Sequence, residues 1–128
     1  MKTIIAGSRL LTDPIHLHDA LQLCQWTITE VVSGGAPGVD TLGEHYAAAN
    51  RIPVKLFPAN WHKYGRSAGP RRNQQMAEYS QALLAVWDGK SSGTKDMIRR
   101  ATQLNLTVYV HKITDKLDRT SLISEFDF

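Results

Sequence analysis

The stretch Ser33-Gly34-Gly35-Ala36-Pro37-Gly38-Val39-Asp40 decides how this chain is read. An apolar, strand-like segment ending at Val31-Val32 runs into two adjacent glycines, and a helically spaced run from Val39 to Ala49 follows. Pro37 suits the first turn of that helix, because its missing N–H would have no intrahelical partner there. Strand, glycine turn and helix in this order aim unpaired backbone N–H groups and the positive end of a helix at one point, where a phosphate can sit. Gly34, Gly35 and Gly38 permit positive φ and a close approach of backbone to ligand. Glycines at such turns also serve purely structural ends, so the turn gains meaning from its neighbours.

Outward from it, strands and helices alternate. Residues 2–6 are apolar and lead into Gly7-Ser8-Arg9. Asp13-Pro14 predicts an N-cap and the first position of a helix that carries Leu17, Leu21 and Cys24 on one face. Glu30 to Val32 reads as a second strand and Pro53 to Phe57 as a third, with Pro53 at its permitted first position. Pro58 to Gly69 reads as a long loop of the kind that forms functional lids. Pro70 opens a helix with Asn73, Met76, Ala77 and Ser80 along one side. Ala82 to Trp87, apolar throughout, predicts a central parallel strand covered on both faces. After the turn from Asp88 to Thr94 comes a helix burying Met97, Ile98, Ala101 and Leu104, with Asn105 as its left-handed cap. Thr107 to His111 is the fifth strand. Five alternations predict an α/β fold: a mostly parallel sheet, right-handed crossovers and helices on both faces.

In such sheets ligands bind beyond the carboxyl ends of the strands. The four strand-to-helix turns expected there carry Ser8 and Arg9, then the glycine turn, then Arg66, Arg71 and Arg72, then Ser91, Ser92, Gly93 and Thr94. Glycines, hydroxyls and arginines gathered on one rim describe an anion pocket, with Arg9 and Arg72 matching phosphate oxygens bidentately. Trp61 and Tyr64 either stack on a base or fold onto the sheet edge, and Trp87 is placed to wall the pocket.

The 128 residues, 42% of them hydrophobic and 21% charged, fit one domain of ordinary composition. No apolar run approaches the ~20 residues of a membrane span, and Met1 to Gly7 reads as a strand and not a signal peptide. Cys24 is the single cysteine. No internal disulfide is possible, a cytoplasmic location is expected, and helical spacing assigns Cys24 to the core. A net charge of +3 is too small for a protein that coats nucleic acid but admits an anionic small ligand. Residues 112–128 hold three basic and four acidic side chains, so the positive charge lies in the body of the chain.

Other chemistries fit less well. In the frame Ser33-x-Gly35-x-x-Gly38 a serine replaces the first glycine of the dinucleotide fingerprint, and Phe57-Pro58 stands where an acidic residue would grip ribose. No P-loop sequence occurs. The five histidines lack ligand-spaced partners, so no metal is expected. No Ser-His-Asp arrangement can be assigned from spacing.

Five motifs follow one another: Gly7-Ser8-Arg9, Ser33 to Asp40, Phe57-Pro58-Ala59-x-Trp61, Ala68-Gly69-Pro70-x-Arg72-Asn73-x-x-Met76 and Ser92-Gly93-Thr94. Together they resemble the YspA-related branch of the SLOG superfamily, which also holds the Lonely Guy phosphoribohydrolases and the DNA-processing protein DprA. The resemblance, over residues 2–111, implies a single Rossmann-like three-layer α/β/α domain at 1–111 with strand order 3-2-1-4-5, and a tail at 112–128. It implies binding of a nucleotide or nucleotide-derived ligand, such as a nucleoside phosphate or an ADP-ribose derivative, with no cofactor. Gly7, Ser8, Arg9, Ser33, Gly34, Gly35, Ala36, Gly38, Asp40, Arg72, Asn73, Trp87, Asp88, Ser91, Ser92, Gly93 and Thr94 are the expected contacts. Self-association is a further implication, with Tyr46 and Tyr79 among the residues available for it.

N-glycosidic cleavage of a nucleoside monophosphate is the alternative function, and single-stranded DNA binding the second. By position, Arg72 matches the arginine of the hydrolases' Arg-Lys-x-x-Met motif, and Gly93-Thr94 matches the Gly-Thr of their Pro-Gly-Gly-x-Gly-Thr-x-x-Glu loop. Lys90 and Ser91 replace the paired glycines, and Met97 stands at the catalytic glutamate, where it can neither activate water nor stabilise a sugar cation. Asp96 is one residue earlier, with a shorter reach. An enzyme would then rely on Arg72 and on Asp88, whose desolvation beside the pocket is expected to raise its pKa. Asp40 either caps its own helix or accepts hydrogen bonds from ribose hydroxyls. The acidic, aromatic end Glu125-Phe126-Asp127-Phe128 offers a peptide ligand for a partner.

Overall fold

The computed structural model describes residues 1–113. Five strands, β1 (Lys2–Gly7), β2 (Glu30–Ser33), β3 (Val54–Leu56), β4 (Ala82–Trp87) and β5 (Thr107–Lys112), form one all-parallel sheet in the order β3-β2-β1-β4-β5. Helices α1 (Pro14–Leu23), α2 (Val39–Ala49), α3 (Trp61–Tyr64), α4 (Ala68–Tyr79) and α5 (Ser92–Gln103) connect them. The architecture is the Rossmann-like α/β fold read from the alternation.

Period-2 side-chain alternation divides the core. Ile4, Ala6, Leu83 and Ala85 pack with Met76 and Ala77 of α4 and Met97 and Ala101 of α5. Ile5, Leu84 and Val86 point the other way, against Leu17 and Ala20 of α1 and Val39 and Ala47 of α2. The chain leaves β1 toward β2 and β3, then returns to its far side for β4 and β5, so right-handed crossovers must place the two helix pairs on opposite faces. Burial on both sides accounts for the uninterrupted apolar sequence of β4, whose residues from Ala82 to Val86 are buried. At the edge, all three β3 residues are exposed, but pairing extends past its ends through Val31 N to Pro53 O and Phe57 N to Ser33 O.

Several local expectations are corrected. Pro37 lies outside α2, whose N-cap is Gly38. Helix α4 begins at Ala68, two residues before Pro70, because the preceding stretch is not loop: α3 and a 3₁₀ turn over Gly65–Ser67 feed directly into it. Cys24 is the half-buried C-cap of α1 instead of a core residue, since the helix stops at Leu23. Leu104 caps α5 and is exposed; the left-handed residue after it is Asn105, with φ 61°. Partly buried Tyr46 packs against the core face of α1 and α2, and partly buried Tyr79 packs on Phe57 and donates a hydrogen bond to Glu30. The tail reading begins inside β5 at Lys112 and from residue 114 lies outside the described residues. No helix among the described residues is long and apolar enough to cross a membrane.

The approach of α2 to the end of β1 depends on Gly7. A Cβ there would lie 2.0 Å from the Val86 carbonyl oxygen and 2.7 Å from a Val39 methyl, in the middle of the sheet. At Gly93, in the first turn of α5, it would meet nothing within 4 Å. Gly7→Ala is therefore expected to lower the unfolding free energy by at least about 2 kcal/mol. Gly93→Ala should change it by less than about 0.5 kcal/mol. Urea unfolding followed by circular dichroism checks both.

Candidate functional site

Above the carboxyl ends of β1 and β4 the strand order reverses, the position at which such sheets open a crevice. A cleft of about 610 Å³ lies there, within the ~300–1,000 Å³ usual for small-molecule sites. Gly7 and Arg9 follow β1 into its wall, Ala36 and Asp40 come from the glycine turn and α2, and Arg72 and Asn73 come from α4. Ser91, Ser92, Gly93 and Thr94 enter from the start of α5. A smaller cleft of about 330 Å³ adjoins it, sharing Arg9, Ala36, Trp61 and Arg72 and adding Gly34 and Gly35. Residues from four separate turns thus meet on one rim.

Ser8, Ser33, Gly38, Trp87 and Asp88 line neither cleft. The Ser8 hydroxyl accepts from Asp88 N at 3.2 Å, and the Ser8 carbonyl accepts from Leu11 N and Val39 N. Ser33 donates to Glu44 at 2.7 Å and accepts from Gly35 N at 3.1 Å. The Trp87 indole donates to the Ser91 carbonyl at 3.1 Å. Gly38, at φ 78°, lets the start of α2 press on the turn after β1, where a Cβ would come within 2.4 Å of the Ser8 carbonyl oxygen. Turns leave backbone N–H groups unpaired, and short polar side chains within them satisfy those groups first. The expected rise in the Asp88 pKa is reversed for the same reason. N–H groups of Ser91 and Lys90, at 2.9 and 2.8 Å, hold its carboxyl below the ordinary range, which makes it a poor proton donor.

Arg72 links the two helical layers. Its Nη1 donates to the Gly34 carbonyl at 2.6 Å and its Nε to Asn73 Oδ1 at 3.2 Å. Gly34 must lack a side chain for this, since a Cβ would sit 2.3 Å from Arg72 Nη1 and 3.0 Å from Asp40 Oδ2. Burial lowers the Arg72 pKa, the Asp40 carboxylate opposes that, and Arg9 adds to it. A guanidinium stays charged at neutral pH regardless.

Asp40 sits in the first turn of α2, only 5% exposed. It does not cap its own helix. Its Oδ2 reaches back over the glycine turn and accepts from Ala36 N at 3.2 Å. Burial pushes its pKa from 3.8 up to about 6, against the pull of the Ala36 N–H and Arg72 and with the push of Glu44. A carboxyl group desolvated inside a cleft of guanidinium groups is the type of residue that marks a functional site.

The opposite wall is fixed by Asn73, whose amide donates to the Gly93 carbonyl and to Asp96, at 3.3 and 2.9 Å. Burial works against ionised Asp96, but hydrogen bonds from Arg100, Asn73 and Arg99 win and keep its pKa low. Met97 is buried in the α4–α5 core layer and touches the cleft only as an apolar wall. Trp61 is 50% exposed with its ring over Gly69, and lines both clefts. It is a wall of the cleft, not part of the core. Tyr64 instead carries Arg71 on its ring at 4.4 Å, and neither lines the clefts. Arg66, one of the three arginines expected on the rim, and Asp96 also line the larger cleft. The signal for Arg66 and Trp61 was the density of basic and aromatic residues between Pro58 and Arg72.

Fold and cleft together define a doubly wound α/β domain with an arginine- and glycine-lined crevice at its topological switch point. The model of the family described as YspA, cpYpsA-related SLOG (YAcAr) matches residues 1–64. The chain belongs to this family, and membership suggests a nucleotide-related function. The match takes in Arg9, the glycine turn and Trp61; Arg72, Gly93 and Thr94 lie beyond it. No curated protein and no solved structure matches the chain.

The folded chain holds the Asp40 proton to about pH 6, whereas the unfolded chain releases it near 3.8. Between these values the native state binds more protons, so the contribution of Asp40 to stability is complete below 3.8 and is lost as pH rises to about 6. Asp40→Asn should flatten that part of the pH–stability curve and be more stable than wild type at neutral pH by on the order of 2 kcal/mol. Urea unfolding at a series of pH values and an NMR titration of the Asp40 carboxyl check it.

Proposed function

We propose that this chain binds a nucleotide or nucleotide-derived ligand at the carboxyl edge of its sheet and acts as a sensing or sequestering module. The observation that carries this reading is the meeting of Arg9, the glycine turn, Arg72 and the α5 N-terminus around one cleft. Arg9, exposed at the rim, and Arg72 supply positive charge to phosphate oxygens. Ser92 and Gly93 at the positive end of α5 line the same space, while Thr94 N is capped by the Ser91 hydroxyl. Trp61 offers an aromatic face with half its surface free for a base.

Cleavage of an N-glycosidic bond is the second reading, favoured by one observation: the buried Asp40 carboxyl can hold or release a proton near neutral pH. Against it, Met97 stands where the related hydrolases carry their glutamate, and Asp96 is held by three donors.

Calorimetric titration with a panel of nucleotides tests the binding reading. At least one should bind, Arg72→Ala should weaken it by about tenfold or more, and Arg71→Ala should change it less than about twofold. The same nucleotides should survive incubation with the protein. Release of free base, abolished in Asp40→Asn, would move the assignment to the hydrolase; no binding by any nucleotide would remove both.

A further inference from the structure

The glycine turn already holds an anion that belongs to the chain. Asp40 Oδ2 accepts from Ala36 N at 3.2 Å, and the Gly34 N–H adds a smaller pull on the same carboxyl. Gly35 N is taken by the Ser33 hydroxyl at 3.1 Å. The backbone donors of the turn are thus directed at Asp40 and Ser33. The same carboxyl faces Arg72. A Cβ at Gly34 would lie 2.3 Å from Arg72 Nη1 and 3.0 Å from Asp40 Oδ2, so both groups border one small space above that glycine. Asp40 is buried yet lines the larger cleft, and Arg72 lines both.

The charges around this carboxyl come from three elements. Arg72 of α4 favours its ionised form, and Glu44, one turn along α2, opposes it. Arg9, from the turn after β1, acts on Arg72 and lines both clefts with it. Arg66 and Asp96 stand elsewhere on the larger cleft's wall, and Asp96 is held by Asn73, Arg99 and Arg100. Arg72 therefore supports the Asp40 charge, while burial works against it. An anion seated between Arg9 and Arg72 draws on that support. It also sets a second negative charge beside a desolvated carboxylate, where repulsion is strong. The turn cannot relieve the repulsion, since its N–H groups are already used. A proton from solvent can.

We infer that Asp40 is a resident counter-anion of the cleft, and that the site takes up a phosphate-type anion and a proton together, the proton going to the Asp40 carboxyl. This rests on the reading that Arg9 and Arg72 hold the ligand's phosphate, and adds how pH regulates that binding. In the free protein Asp40 loses its proton at about pH 6. Below that pH the carboxyl is already neutral and affinity is highest. Above it binding must restore the proton, so affinity falls as pH rises, until the raised pKa of the complex is passed.

Sulfate is the probe, because it is a tetrahedral dianion whose charge does not change in the neutral range. NMR titration of the wild-type Asp40 carboxyl, in sulfate against chloride at equal ionic strength, should show its midpoint raised by about one pH unit or more. Sulfate affinity should weaken severalfold, and by no more than about tenfold, between about pH 6.5 and 7.5. Asp40→Asn, which removes the charge and keeps the shape, should bind sulfate more tightly than wild type at neutral pH and without that slope. An unmoved midpoint in sulfate, or the same slope in both proteins, overturns the inference. The midpoint is read on wild type and serves if the variant fails to fold. A nucleotide that binds both proteins with equal proton uptake, measured by calorimetry in buffers of different ionisation enthalpy, also overturns it and leaves the nucleotide reading standing. A raised midpoint in sulfate with no nucleotide bound removes the nucleotide reading and supports the coupling.

Discussion

The hydrogen bond from Arg72 to the Gly34 carbonyl, 2.6 Å long, holds the carboxyl edge of the sheet together. Arg72 comes from the helix layer on one face, and Gly34 belongs to the turn that starts a helix on the other. The contact ties the two layers to each other directly, beside the strands that separate them. The contact leaves no room for a side chain at Gly34 and brings the guanidinium next to the Asp40 carboxylate. From Arg72 the connection continues through Asn73 to Gly93 and Asp96, so one polar chain crosses from the glycine turn before α2 through α4 to α5. Such networks stay rigid when each member is satisfied, and here the rigid part is the wall of the cleft.

A division of labour follows. Short polar side chains at the strand ends, Ser8, Ser33 and Asp88, complete the backbone of the turns. Longer side chains standing farther out, Arg9, Trp61 and Arg66, line the cleft. Asp40 belongs to neither group, since it is buried like the first and faces the cleft like the second. Its ionisation costs stability that a neutral side chain in its place would not, which separates it from the residues that serve the fold alone.

Much of the fold was legible because periodicity and punctuation agreed. The apolar run Ala82 to Trp87 could only be a covered strand, and Asp13-Pro14 marked a helix start that the structure places at the same residues. The stretch from Pro58 to Gly69 reads as loop in the sequence yet holds α3, because a single turn of helix capped by Asn60 is too short to show a period. Cys24 continues the helical period of Leu17 and Leu21, yet α1 ends one residue before it.

The order of motifs along the chain determined by itself the parallel sheet, its helices and the four turns that would share an edge, because each follows from local pattern and from the handedness of crossovers. It could not say which polar residues of those turns remain free. Ser8 and Asp88 look as suited to a ligand as Arg9, and only the folded geometry engages the first pair with each other and leaves the third at the rim. The protonation of Asp40 was also decided by tertiary structure. Ala36 N is near in sequence, but burial and the Arg72 guanidinium are set by residues distant in sequence, and the balance among them has no local signature.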